Sequence, residues 1–66
     1  MVITVNGNER EYIEGETVSQ LLLRMRYVFP MVIVKVNGKV IPKSEYGSTI
    51  IPDGASVDVI HLTSGG

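Results

Sequence analysis

The segment TVSQLLLRM, residues 17–25, decides the fold because it carries the helical repeat of this chain. Its apolar residues recur at i, i+3, i+4 and i+7 and form one stripe: Val18, Leu21, Leu22 and Met25. Thr17, with Gln20 three residues later, fits a capping box, so we expect the helix to begin at Thr17. An amphipathic helix of this kind has to bury its stripe against a second layer.

Strand patterns lie on both sides of the helix, and two of the turns between them are Asn-Gly pairs, Asn6-Gly7 and Asn37-Gly38. Asn-Gly favours the positive φ angles of tight hairpins. Before the helix we predict strands at 2–5 and about 10–13, and after it a helix end or loop at 27–29 before Pro30. Strands at 32–36 and 39–41 follow, and then a helical turn or loop at 44–46 and a short edge segment at 49–51. A turn at 52–54 leads into a last strand at 56–62.

Two hairpins that flank one helix predict an α+β fold, in which a mixed sheet of four to five strands packs on one main helix. By analogy with ubiquitin-like β-grasp folds, we expect the first and last strands to run parallel in the middle of the sheet. The predicted organisation is one domain at residues 1–62, followed by a flexible C-terminal tail at 63–66.

Side chains alternate along a strand, so each predicted strand has an inner and an outer face. The inner face should receive Ile3, Val5, Val34, Val36, Val57 and Val59. Ile33, Ile60 and Leu62 then stand on the outer face as apolar residues. They are either scattered surface hydrophobes, which are normal, or a patch where a partner docks beside the base of the tail.

Composition excludes several classes of site. The 66 residues include no cysteine and a single histidine, His61, so there is no disulfide, no thiol nucleophile and no metal-ligand set. We interpret the acids Glu9, Glu11, Glu14 and Glu16 as a solvated face and basic residues such as Arg24 as solubilising. The net charge of −1 favours neither nucleic acid nor a membrane surface, and without an apolar span or signal peptide we expect a cytoplasmic protein.

The chain ends in Thr63-Ser64-Gly65-Gly66. This end is either a frayed terminus or a thin segment that enters a narrow channel in another protein. In the second case the reactive group is the carboxylate of Gly66, with Ser64 and Gly65 recognised beside it. Joining that carboxylate to AMP creates a good leaving group, and a sulfur nucleophile can then displace AMP to leave a thiocarboxylate.

The whole chain resembles the ThiS-type sulfur carrier proteins of the ThiS/MoaD ubiquitin-like family. The residues that carry the resemblance are Asn6 after the opening strand, Gly15-Glu16-Thr17-Val18 with Leu21-Leu22, Val36-Asn37 with Val40-Ile41-Pro42, Tyr46, Asp53-Gly54 and the terminal Gly65-Gly66. The chain departs from the family at Thr63-Ser64, where more apolar residues are common.

The resemblance implies a carrier that is not itself an enzyme and binds no cofactor. An E1-like, ThiF-like adenylyltransferase would use ATP to adenylate Gly66, and sulfur would come indirectly from a cysteine desulfurase through a persulfide. The resulting thiocarboxylate would donate its sulfur to a ThiG-like thiazole synthase in thiamin biosynthesis.

Three alternatives remain open from the sequence. The carrier could serve molybdopterin synthesis or tRNA thiolation, although molybdopterin carriers are usually longer. A ubiquitin-like modifier would instead join Gly66 to lysines of target proteins. A β-grasp binding module would have a tail without chemistry.

Overall fold

The computed structural model describes residues 1–27 and 32–62 of the chain. Its elements are β1 (Val2–Val5), β2 (Asn8–Glu11), α1 (Val18–Arg24), β3 (Val32–Val36), β4 (Lys39–Ile41), a 3-10 turn (Lys43–Glu45) and β5 (Ser56–His61). The predictions for Val28, Phe29 and the tail at 63–66 fall outside the described residues. No helix in the described ranges has the length and apolarity that crossing a membrane requires.

The five strands form one sheet in the order β2-β1-β5-β3-β4. β1 and β5 run parallel, whereas the β1–β2, β3–β4 and β3–β5 pairs are antiparallel. The predicted α+β fold with a mixed sheet and parallel first and last strands is therefore confirmed. The last strand occupies the centre of the sheet, with a neighbour on each side.

Both ends of α1 are closed by local hydrogen bonds. Thr17 Oγ1 accepts from the Gln20 amide at 3.3 Å, and Gln20 Oε1 accepts from the Thr17 amide at 3.0 Å, which confirms the capping box. At the other end Arg26 turns the chain with φ +61°, and the Tyr27 amide donates to the Leu22 carbonyl at 2.9 Å. This C-terminal motif brings Tyr27 back over the last turn of the helix.

The core lies between α1 and the inner face of the sheet. Every residue predicted for the inner face is buried, and Leu23, which departs from the apolar stripe of the helix, is exposed. The buried hydrophobic residues among those described are Ile3, Val5, Val18, Leu21, Leu22, Val32, Val34, Val36, Ile41, Tyr46, Ile51, Ala55, Val57 and Val59. Burying one such aliphatic side chain contributes about 1.5–3 kcal/mol.

The predicted position of β2, about 10–13, is wrong by two residues, because the strand spans Asn8–Glu11. Asn6 and Gly7 both have positive φ, at +53° and +84°, and they close a two-residue turn. Asn8 therefore pairs with Val5 directly, whereas the prediction began the strand at about residue 10. All four residues of β2 are exposed.

The predicted edge segment at 49–51 pairs with the entry to the helix instead of with the sheet. Ile50 forms an isolated bridge with Thr17, and the Ile51 amide donates to the Glu16 carbonyl at 2.9 Å. Ile51 is buried, so this segment closes the core below the start of α1.

Glu16 is not part of a solvated face, because only 6% of it is exposed. Arg24 Nε and Nη2 donate to its two carboxylate oxygens at 2.8 Å each, and Nη2 also donates to the Glu11 carbonyl at 3.0 Å. The hydrogen bond to Glu16 raises the pKa of the Arg24 guanidinium above its ordinary value. The raised pKa means that the fold stabilises the charged guanidinium, and this contribution is lost only as the pH rises through the pKa of Arg24, above the physiological range.

Arg24→Met should lower the free energy of unfolding by roughly 2–4 kcal/mol, because the Glu16 carboxylate then stays buried without its partner. Adding Glu16→Gln to this variant should recover part of the loss, since no unpaired charge remains. Urea denaturation measures both effects. Arg10→Met in the exposed strand β2 is the control, with an expected change within about 0.5 kcal/mol. Equal losses for Arg10→Met and Arg24→Met would contradict the assigned role of the pair.

Candidate functional site at the end of the last strand

The outer face of the sheet carries an apolar pair near the end of β5. Ile33 of β3 and Ile60 of β5 are direct partners across the two strands. Ile33 is half-buried, and Ile60 is 44% exposed. Leu62 follows the end of the strand and is also 44% exposed. We call Ile33, Ile60 and Leu62 the outer patch.

A pair of opposite charges borders the outer patch. Lys35 and Asp58 face each other across the same two strands, one step further from the end of β5, and both are half-buried. Opposite charges at such positions favour strand pairing and leave no net charge beside the apolar residues. A partner that covers the outer patch therefore meets an apolar centre with a polar margin, which is the arrangement of many protein interfaces.

The predicted site residues Ser64, Gly65 and Gly66 lie outside the described residues. The structure therefore describes the docking part of the predicted site and the last residues before the tail. It brings Ile33 and Ile60 together and places Leu62 between them and the tail in the sequence.

Asn6 holds the second half of β5 from the side opposite to β3. Its Oδ1 accepts from the Val59 amide at 2.8 Å, and its Nδ2 donates to the Val59 carbonyl at 3.2 Å. The same Nδ2 donates to the Tyr27 hydroxyl at 3.1 Å. A single carboxamide thus connects the first hairpin, the segment after α1 and the last strand.

His61 lies at the end of β5 against Tyr27. The two rings meet edge to face, with centroids 5.4 Å apart and an interplanar angle of 84°. Aromatic rings prefer this geometry to a face-to-face stack. The contact gives His61 a packing role.

Within residues 1–27 and 32–62, no three His, Cys, Asp or Glu side chains are grouped closely enough to hold a metal ion. The glycines Gly7, Gly15, Gly38 and Gly54 all have positive φ between +79° and +84°, as turn residues do. Their φ angles fit chain reversal, and the sequence predicts turns at Gly7, Gly38 and Gly54.

Comparison with known proteins gives the family. The family model described as the ThiS family matches residues 3–66, which is nearly the whole chain. The chain belongs to the ThiS family. The predicted resemblance to ThiS-type proteins with a ubiquitin-like β-grasp fold is therefore confirmed.

Solved structures of ThiS proteins have the same fold. A crystal structure of the thiamine biosynthesis protein ThiS from Geobacter metallireducens is 28% identical, with a TM-score of 0.78 and full coverage of both chains. A solution NMR structure of a thiamine biosynthesis protein from the same organism is 29% identical, with a TM-score of 0.76. That match covers all of this chain and 88% of the other.

A longer protein also contains a ThiS-like segment. A thiazole synthase of Paramagnetospirillum magneticum is 30% identical over 66 residues, which is all of this chain and 20% of that protein. The chain therefore spans about a fifth of the length of this relative.

Sequence reasoning missed two contacts of the site and its surroundings. The Asn6 side chain has a second role beyond its turn, and Glu16 is buried with Arg24. Asn6 and Val59 are 53 residues apart, so no local pattern indicates their contact. The positive φ angle of a tight turn already accounts for an asparagine at residue 6, so the sequence gives no signal of a further contact.

Ile60→Asp should leave the protein folded and cost about 1 kcal/mol of unfolding free energy, because the side chain it replaces is half exposed. Val59→Asp, at the adjacent residue, should unfold the domain, since Val59 is only 5% exposed and its replacement buries a charge. Circular dichroism with urea titration measures both variants. An unfolded Ile60→Asp protein would show that the outer patch belongs to the core.

Proposed function

We propose that this chain is a sulfur carrier protein whose C-terminal Gly66 is adenylated by an E1-like, ThiF-like enzyme and then converted to a thiocarboxylate. The thiocarboxylate donates sulfur to thiazole formation in thiamin biosynthesis. The observation that carries the proposal is the match to the ThiS family over residues 3–66, which includes both terminal glycines.

The chemistry follows from the weakness of a carboxylate as an electrophile. An oxygen of the Gly66 carboxylate attacks the α-phosphorus of ATP, and pyrophosphate leaves. The terminal sulfur of a persulfide, supplied through a cysteine desulfurase, then attacks the carbonyl carbon, and AMP leaves. A thiol that cleaves the remaining sulfur–sulfur bond supplies the two electrons that release the thiocarboxylate.

On this proposal the chain is a substrate of its partner enzymes and not itself an enzyme. ATP and the catalytic groups belong to the partners, and the chain holds no cofactor. Glycine suits the reacting position because no β-carbon shields its carbonyl carbon.

Docking of the folded body offsets the cost of ordering the tail. Fixing one residue costs about 1–2 kcal/mol, so fixing four tail residues costs roughly 4–8 kcal/mol. Gly65 and Gly66 have no side chains with which to recover this cost. We assign the compensating contact to the outer patch, because it directly precedes the tail and offers exposed apolar area at Ile60 and Leu62.

The acceptor of the sulfur on this proposal is a thiazole synthase, a ThiG-like enzyme. The support is the thiazole synthase of Paramagnetospirillum magneticum, which contains a segment similar to the whole of this chain within one polypeptide. Two segments that are joined in one protein often work on the same reaction, so we assign this chain a thiazole synthase as its partner.

Incubation with a ThiF-like enzyme, ATP, a cysteine desulfurase and cysteine should yield a species heavier by the difference between one sulfur and one oxygen. Intact mass spectrometry detects it, and fragmentation should locate the change at Gly66. Deletion of Gly66, or one additional residue after it, should abolish the shift because the reacting carboxylate is displaced. A mass shift in the deletion variant would refute the proposed site, and a ladder of larger conjugates would favour the modifier function.

Ile60→Asp should raise the KM of the activating enzyme for the carrier by about tenfold, which corresponds to about 1.4 kcal/mol of lost docking energy. Ile50→Asp is the matched control, because it makes the same substitution at an isoleucine that is 57% exposed and lies outside the sheet. Its KM should stay within about twofold of the wild type. Pyrophosphate release measures the rates, and an equal response of the two variants would exclude the outer patch as the docking surface.

A further inference from the structure

β5 extends beyond the strand that accompanies it on one side. The parallel pairing with β1 consists of Thr4 with Ser56 and Val5 with Val57, and the Asn6 amide still donates to the Val57 carbonyl at 2.8 Å. The chain then turns away at Asn6, whose φ is +53°. β1 therefore does not accompany β5 beyond Val57, and from Val59 onward the edge of β5 that faces β1 has no backbone partner in β1.

The Asn6 side chain takes the place of the missing strand residue. A carboxamide carries the same donor and acceptor as a peptide group. Asn6 Oδ1 accepts from the Val59 amide at 2.8 Å, and Nδ2 donates to the Val59 carbonyl at 3.2 Å. Together these two bonds extend the ladder between β1 and β5 by one step.

A second layer holds this contact in place. Nδ2 of Asn6 also donates to the hydroxyl of Tyr27, whose ring packs edge to face on His61. Tyr27 is itself fixed by its amide bond to the Leu22 carbonyl at the end of α1. The last residue of β5 is therefore held through Tyr27 by the helix and by the first hairpin.

From this arrangement we infer that Asn6 is a positioning residue for the tail, acting with Tyr27 and His61. It holds the end of β5, from which the chain leaves the sheet at Leu62, four residues before the carboxylate that reacts in the proposed function. The inference rests on the proposed function. It adds a group of residues in the folded domain that affects the kcat of the activation reaction and not its KM. Small errors in the placement of a reacting group lower catalytic rates strongly.

Asn37 provides an internal comparison. It occupies the same position of the second Asn-Gly turn, with φ +52° followed by Gly38 at +82°. Its Oδ1 accepts from the Ser56 amide at 2.9 Å, and its own amide donates to the Ser56 carbonyl at 2.7 Å. Asn37 thus holds the start of β5, whereas Asn6 holds the part of β5 that leads into the tail.

The two asparagines permit a matched pair of variants, Asn6→Gly and Asn37→Gly. Glycine accepts the positive φ angle at both positions, so each substitution removes the side chain without straining the turn. In Asn6→Gly, the amide order parameters of His61 and Leu62 should fall from the rigid range of about 0.85 to below about 0.7, as measured by ¹⁵N relaxation. In Asn37→Gly they should stay at the wild-type values.

The same variants separate positioning from docking in the activation reaction. Asn6→Gly should lower kcat by about tenfold and leave KM within about twofold, because the outer patch is unchanged. Asn37→Gly should leave both within about twofold. Asn6→Asp keeps the acceptor for the Val59 amide but loses the donors to the Val59 carbonyl and the Tyr27 hydroxyl, so its kcat should lie between those of Asn6→Gly and the wild type.

Equal order parameters at His61 and Leu62 in the two glycine variants, or equal kcat values, would overturn the inference. A loss of kcat in Asn6→Gly that is matched by an equal rise in KM would also overturn it, since that result assigns Asn6 to docking. If the wild type itself is not activated, the proposed function fails, and the order parameters alone then decide whether Asn6 holds the end of the strand.

Discussion

The central position of β5 is the constraint on which the other elements depend. β1 lies on one side of β5 and β3 on the other, and α1 covers the inner face that the three strands share. The chain cannot complete this core until its last strand is in place. The residues that lead into the tail are therefore joined to the most buried part of the protein, although the tail itself begins one residue after Leu62.

A domain of 66 residues without cysteine has few means to add to a small core. The structure uses polar contacts that are local in space and closely matched in geometry. The capping box closes the start of the helix, the Glu16–Arg24 pair ties its last turn to the chain that precedes it, and each Asn-Gly turn contributes a side chain to β5. The Glu16–Arg24 and Asn6–Val59 contacts are partly buried and satisfy groups that would otherwise cost free energy, whereas the capping box and the Asn37–Ser56 contact lie at the surface.

The sequence predicted what depends on short repeats. The capped helix, both Asn-Gly turns, four of the five strands and the division of the sheet into inner and outer faces follow from patterns of two to eight residues. The predictions failed at the start of β2 and at Glu16. The strand was placed two residues late because the tight Asn6-Gly7 turn brings Asn8 into it directly, and Glu16 was assigned to solvent because its partner lies one helix length away. Ile33 and Ile60 were placed on one face by alternation, but only the register between β3 and β5 makes them neighbours.

The two edge strands, β2 and β4, affect how the protein behaves at high concentration. An open sheet presents unpaired backbone groups at both margins, and these can recruit the margin of another molecule into a growing fibril. β2 exposes Glu9, Arg10 and Glu11 along one margin, and β4 is three residues long and is followed by Pro42. The charges of β2 and the short length of β4, with the proline after it, disfavour such edge-to-edge pairing. The sheet can therefore remain open without serving as a template for aggregation.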